Sequence, residues 1–322
     1  MKETIDFAVG TDQYSIPNSW KLLSKAQYVG IIHDTLEMRL GAISPAMVRV
    51  NHVCRCMNWE LKEIKGQDAL ANLALLASQV TFLFLISYPD NDLALMDLSA
   101  EDRARFKRVA PQYINHPLAR YLDKQPYHYV LDSCFCAQLI PKVRIDGATY
   151  QGYTINSDFD ALTCSLTALQ YIEARDLITQ PDKLPLMASI LYQAQPYQSA
   201  KAHLAASEFA KLPKDTLQAI HFNFIAFNNY LMTRTPFKLL TEGSATSQAT
   251  ISTGAIESLY NLSADGYGDV NTIEQINLIT YLTIMRKKLI EVVRTMHASD
   301  TKIADIVTKT GLPYHIINQI IA

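Results

Sequence analysis

The chain has 322 residues, room for two or three domains or one large one. Hydrophobic residues make up 49% and charged residues 19%, which supplies a real core and excludes an intrinsically disordered chain. Lys plus Arg (29) against Asp plus Glu (31) leaves a net charge of −2, so neutralising phosphates along DNA or RNA is not its main business.

The start of the chain carries Lys2 with no apolar stretch behind it, which is not the pattern of a secretory signal. Residues before Asn18 read as an extended lead-in closed by Ile16-Pro17. Apolar residues at helical spacing predict a helix from Trp20 to Leu40, with Gly41 as its stop. Ser44-Pro45 reads as an N-cap and first helical residue, opening a helix to Met57. The most apolar run, Leu70 to Tyr88, approaches the roughly 20 residues that cross a bilayer. Asn72, Ser78, Gln79 and Thr81 interrupt it and no Lys/Arg cluster flanks it, so the reading is an internal core helix from Gln67 to Ile86, ended by Pro89-Asp90-Asn91. Ser99 starts the next helix, with Glu101 and Asp102 suited to the positive end of its dipole.

The stretch from Tyr127 to Tyr153 is rich in β-branched and aromatic residues, and Asp146-Gly147 is a type I′ turn signal. It predicts one β-hairpin with arms Gln138–Ile145 and Ala148–Tyr153, which must pack on helices or on another chain. Helical patterns return over Asp158–Ile178, Leu184–Gln195, Ala200–Leu212 and Lys214–Thr233. The small polar residues of Gly243–Thr250 read as a linker or exposed loop. Beyond it come a short helix over Gly254–Leu262, a turn over Asp265–Asp269, a long helix over Thr272–His297, and two short helices around Thr310-Gly311-Leu312-Pro313. The expected fold is mainly α, a multi-helix assembly with one small β-hairpin near the middle. Its expected divisions are an N-terminal helical region (1–126), a hairpin insertion (127–157), a central helical region (158–242) and a C-terminal helical region (251–322).

No residue constellation declares an enzyme. The five cysteines are Cys54, Cys56, Cys134, Cys136 and Cys164, an odd count that argues for reduced thiols in a cytosol. Their two C-x-C pairs are too tight for the usual C-x2–4-C zinc spacing and read as small buried hydrophobes, so no metal is expected. The eight histidines are scattered, and His221 reads as a partly buried core residue. Gly266-Tyr267-Gly268 lacks a third glycine and reads as a turn before an N-cap. Glu60 and Glu63 beside Lys62 and Lys65, and the basic set Arg103, Arg105, Lys107, Arg108, Arg120 and Lys124, read as solvated faces. The segment from Ile303 to Ile321 has the shape of a helix-turn-helix, whose second helix would offer Tyr314, His315, Asn318 and Gln319 to a duplex. That helix carries no Arg or Lys, so a packing or assembly pair is the leading reading and nucleic-acid contact the alternative.

Read end to end, the order of certain segments resembles a family of uncharacterised proteins from phages and prophages of Bacteroides-type gut bacteria. The segments are IPNSWKLLSKAQYVGI, NLALLASQVTFLF, LIPKVRIDGATYQGYT, DFDALTCSLTALQYIEARDL, LMASILYQAQPY, FNFIAFNNYLMTRTPFKLL and AIESLYNLSADGYGDVNTIEQINLITYLTIM. They span most of residues 14–290, and the specificity lies in their order. The resemblance implies a role in building the virion, in the tail, and brings no catalytic residues and no cofactor with it. The expectation is a non-enzymatic structural or assembly protein of the virion or host bacterial cytoplasm, not of a membrane. Its partners would be other virion or assembly proteins or a second copy of itself. The alternative is a DNA-binding or regulatory protein using the C-terminal pair.

Overall fold

The structure is a computed structural model that describes residues 2–89, 92–157, 161–242 and 257–322. Among the described residues it is mainly α, as expected, but in place of one central hairpin it has four separate two-stranded antiparallel sheets. The chain divides into two compact units, Met1–Phe135 and Cys136–Ala322.

Unit 1 begins with β1 (Thr4–Val9) paired to β2 (Asp12–Pro17), so the expected lead-in is a hairpin. Gly10, at φ 63°, supplies the left-handed residue its tight turn requires. Ile5 and Ile16 face each other across the pair and are both buried. Trp20–Leu22 makes only a 3-10 turn, and α1 (Lys25–Arg39) starts where Ser24 and Gln27 form a reciprocal capping box. The following helix, α2 (Pro45–Met57), is capped by Ser44 as expected. Gly30 in α1 leaves room for Arg55 of α2, since a Cβ there would lie 2.3 Å from the Arg55 Nε. That room lets the Arg55 guanidinium reach Asp34 at 2.8 Å.

The expected helix over Gln67–Ile86 is corrected. α3 (Gln67–Ser78) stops eight residues earlier, and the rest of the apolar run becomes β3 (Phe84–Ser87), paired to β4 (His128–Leu131). Val80 to Tyr88 is rich in aromatic and β-branched residues and mostly buried, and periodicity alone does not separate such a run from a core helix. α4 (Ala100–Phe106), with Ser99 as its N-cap, and α5 (Pro117–Leu122) complete unit 1. They join the β3–β4 pair around Tyr88, Phe106 and Leu122. Two members of the basic set are half-buried and bonded to the protein rather than to solvent alone: Arg103 donates to the carbonyls of Leu95, Met96 and Leu98, and Arg108 pairs with buried Asp132 at 2.6 Å.

Unit 2 contains the expected hairpin, β5 (Lys142–Ile145) and β6 (Ala148–Gln151), with arms shorter than predicted. Asp146 at φ 49° and Gly147 at φ 86° give it the left-handed turn that Asp-Gly encodes. It packs on helix, as a lone hairpin must: Tyr150 donates to Glu208 at 2.6 Å and its ring meets Phe209 edge-on. A further pair, β7 (Ile155–Asn156) and β8 (Thr163–Cys164), occupies part of the expected helix Asp158–Ile178, whose residues 158–160 lie outside the described residues. The helix itself, α6 (Ala168–Asp176), begins at a Thr167/Gln170 capping box.

α7 (Leu184–Leu191), α8 (Ser199–Phe209) and α9 (Lys214–Arg234) follow, α7 ending before the predicted Gln195. Leu217, Ile220, Phe224, Phe227 and Leu231 of α9 are buried as expected, and so are Ala219, Phe222 and Ala226, which makes α9 a central helix rather than a one-sided one. His221 is half-buried against the Ile178 carbonyl at 2.8 Å, in line with the core reading. α10 (Leu239–Glu242) comes next, and the expected linker Gly243–Thr250 lies outside the described residues. The described part of the short helix is α11 (Glu257–Ala264). The expected long helix is two, α12 (Val270–Glu274) and α13 (Leu278–Ala298), broken where Gln275 and Asn277 turn their side chains to other segments. α14 (Ile303–Thr310) and α15 (Tyr314–Ile321) fold onto α13 and α10 through Leu239, Val293, Ile306, Leu312 and Ile317.

Candidate functional site

Helix α3 reads QDALANLALLAS, with leucines at 70, 73, 75 and 76 spread around its circumference. Only Leu73, Leu76 and Ala77 are buried, while Leu75 is 62% exposed and Leu70 45%. Leu75, but not Leu70, lines a groove of about 850 Å³ in unit 1, walled by the β1 tip (Phe7, Val9), the chain after α2 (Trp59, Ile64) and α3. Its polar lining is supplied mainly by amides, Asn58, Asn72 and Gln79, together with Glu60 and Glu63. Phe7 stacks on Tyr14 with ring centroids 5.6 Å apart, which stiffens the hairpin wall.

Unit 2 has a cleft of about 540 Å³ between α6, the 196–198 segment, the start of α8, α11 and α12. Its base is fixed by three sets of bonds. Gln275 donates from Nε2 to the Tyr197 carbonyl at 2.9 Å and accepts the Tyr197 N–H on Oε1 at 3.2 Å. The Tyr197 hydroxyl donates to Glu173, and burial with that carboxylate raises its pKa, so it stays a neutral phenol. Behind it, Gln195 donates to buried Gln170 at 2.7 Å, and Gln170 donates to the Ile190 carbonyl at 3.0 Å. The bridge between Thr167 and Asn277, with Ala168 N–H on the Ile276 carbonyl at 2.8 Å, ties α6 to the α12–α13 break. Nothing in the spacing of the sequence marked this cleft, because its residues come from four distant segments.

Of the sequence-marked residues, Tyr314, His315 and Gln319 are exposed on α15 and Asn318 is half-buried, while Ile316 and Ile317 face the core. Gly311, at φ 71°, makes the turn between α14 and α15. The four residues therefore lie on one short outward helix. Cys54 and Cys56 lie on α2 and Cys134 and Cys136 in irregular chain between β4 and β5, and none of the five cysteines is in a disulfide. Cys56 Sγ lies 3.7–3.8 Å from both ring nitrogens of His52. Burial raises the Cys56 thiol to about 11 and lowers His52 to about 4. At neutral pH this is a thiol beside a neutral imidazole, the opposite of an activated thiolate–imidazolium pair.

Searches of family models, curated proteins and solved structures returned no match to this chain. Among the described residues no helix is long and apolar enough to cross a membrane, and no group of three or more His, Cys, Asp or Glu is placed to hold a metal ion.

Proposed function

We propose that this chain is a non-enzymatic assembly component of a phage or prophage particle, tail-related, that works by docking an amphipathic segment of another virion protein in the α3 groove. The setting follows the motif order described above. The mechanism rests on one observation: Leu75 of α3 is open to solvent along a groove of about 850 Å³ whose walls include aromatic and aliphatic side chains. An apolar surface of that kind, edged by amides, suits a helix or extended segment that buries its own apolar side chains there.

Leu75 is the residue to change, because its exposure means the fold does not depend on it. Leu75→Asp should leave unfolding stability within about 0.5 kcal/mol and remove the chain from purified particles and from tail intermediates. Absence of the unmodified chain from both would overturn the reading.

A second reading is favoured by the turn at Gly311, which sets α14 and α15 as a helix pair with Tyr314, His315 and Gln319 outward. It requires duplex binding at low ionic strength that weakens steeply with salt.

A further inference from the structure

The unit 2 cleft shares no lining residue with the α3 groove and its chemistry differs. Two carboxylates, Glu173 and Glu274, line it, and among the described lining residues there is no Lys, Arg or His. Glu173 is held in place by the Tyr197 hydroxyl, which Ser199 also hydrogen-bonds, so one carboxylate is oriented before any ligand arrives. Tyr197 is itself 2% exposed and clamped through its backbone by Gln275, so this base is rigid. Tyr260 of α11 stands at the cleft and is 56% exposed. An aromatic face beside unneutralised carboxylates is the arrangement that attracts an organic cation, by charge and by the ring quadrupole together. An anionic ligand would meet like charge, and a purely apolar one would leave both carboxylates without a counter-charge.

We propose that this cleft binds an organic cation of amine or guanidinium type, with Glu173 and Glu274 as its counter-charges and Tyr260 as its aromatic face. Two sources offer that chemistry, a free polyamine and a Lys or Arg side chain of a partner protein. No bond is made or broken in the process.

The test is titration calorimetry of the full chain with three probes: spermidine, N-acetyl-arginine amide, and the neutral isostere N-acetyl-citrulline amide. The expected result is saturable binding of one or both cations and none of the citrulline compound, weakening as salt is raised. Preference for spermidine identifies a free amine, and preference for the arginine amide a protein side chain. Glu274→Gln should weaken the cation about 1.5- to fivefold, the range for one partly exposed charge pair. Glu173→Gln/Glu274→Gln together should abolish binding. Should the double variant fail to fold, Tyr260→Leu, at a largely exposed position, should by itself weaken cation binding severalfold. The proposal is overturned if neither cation binds at low salt, if the citrulline compound binds equally well, or if Glu274→Gln and Tyr260→Leu both leave the affinity unchanged.

Discussion

The two units bury different kinds of polar group. Among the described residues, the buried polar side chains of unit 1 are Asn18, Thr35, Asp34, Asp132 and His52, the last three ionisable; those of unit 2 are Thr167, Gln170, Ser189 and Asn223, all neutral. The carboxylates of unit 1 meet guanidinium groups, Arg55 at 2.8 Å and Arg108 at 2.6 Å. The amides of unit 2 satisfy backbone instead. Asn223 on α9 accepts the Leu139 N–H at 2.8 Å and donates to the Ala137 carbonyl at 2.7 Å, holding the chain that leads into the β5–β6 hairpin. Tyrosine hydroxyls serve the same end, Tyr171 on Asn228 at 2.7 Å and Tyr192 on the Ile140 carbonyl. A charged pair is strong only while both partners are present and correctly protonated, whereas an amide bonds equally at any ordinary pH. Unit 1 should therefore respond to charge removal and acid, and unit 2 to loss of hydrogen-bonding shape.

The largest effect should come from splitting a buried pair. Arg108→Ala leaves Asp132, 4% exposed, with an uncompensated charge. It should cost about 3–5 kcal/mol in urea unfolding, and Arg108→Ala/Asp132→Asn should recover part of that. Equal losses in the single and double variants would show that the pair is not the source.

Next comes acid. The His52 imidazole accepts no proton readily in the folded chain, its value falling from 6.5 to about 4 because burial disfavours the cation. Between those values the unfolded chain binds more protons, so stability is complete above pH 6.5 and is lost as pH falls toward 4. The loss should approach about 3 kcal/mol. Unfolding midpoints recorded across this window should slope less in His52→Gln, and an unchanged slope would assign the acid response to other groups.

A smaller effect belongs to unit 2. Asn223→Ala strands one buried N–H and one carbonyl and should cost about 2 kcal/mol, by the same amount at pH 5 and pH 8. A pH-dependent cost would erase the contrast between the units.

The features legible in the chain's residues alone are local ones. Caps at Ser44 and Ser99, the Asp-Gly hairpin turn, the buried face of α9 and the helix pair around Gly311 are written in neighbouring residues, and the helical class follows from them. The Ser24/Gln27 and Thr167/Gln170 boxes were also there to read, and they fix helix starts that apolar spacing placed too early. Tertiary structure decided the rest. Whether Val80–Tyr88 continued α3 or paired as a strand depended on β4, more than forty residues on, because a short apolar run satisfies either geometry until a partner supplies its hydrogen bonds. The break between α12 and α13 exists because Gln275 and Asn277 bond to Tyr197 and Cys164, choices no local propensity encodes. Both sites share that origin: the groove needs the β1 tip brought to α3, and the cleft needs Glu173 and Glu274, about a hundred positions apart, brought to one surface.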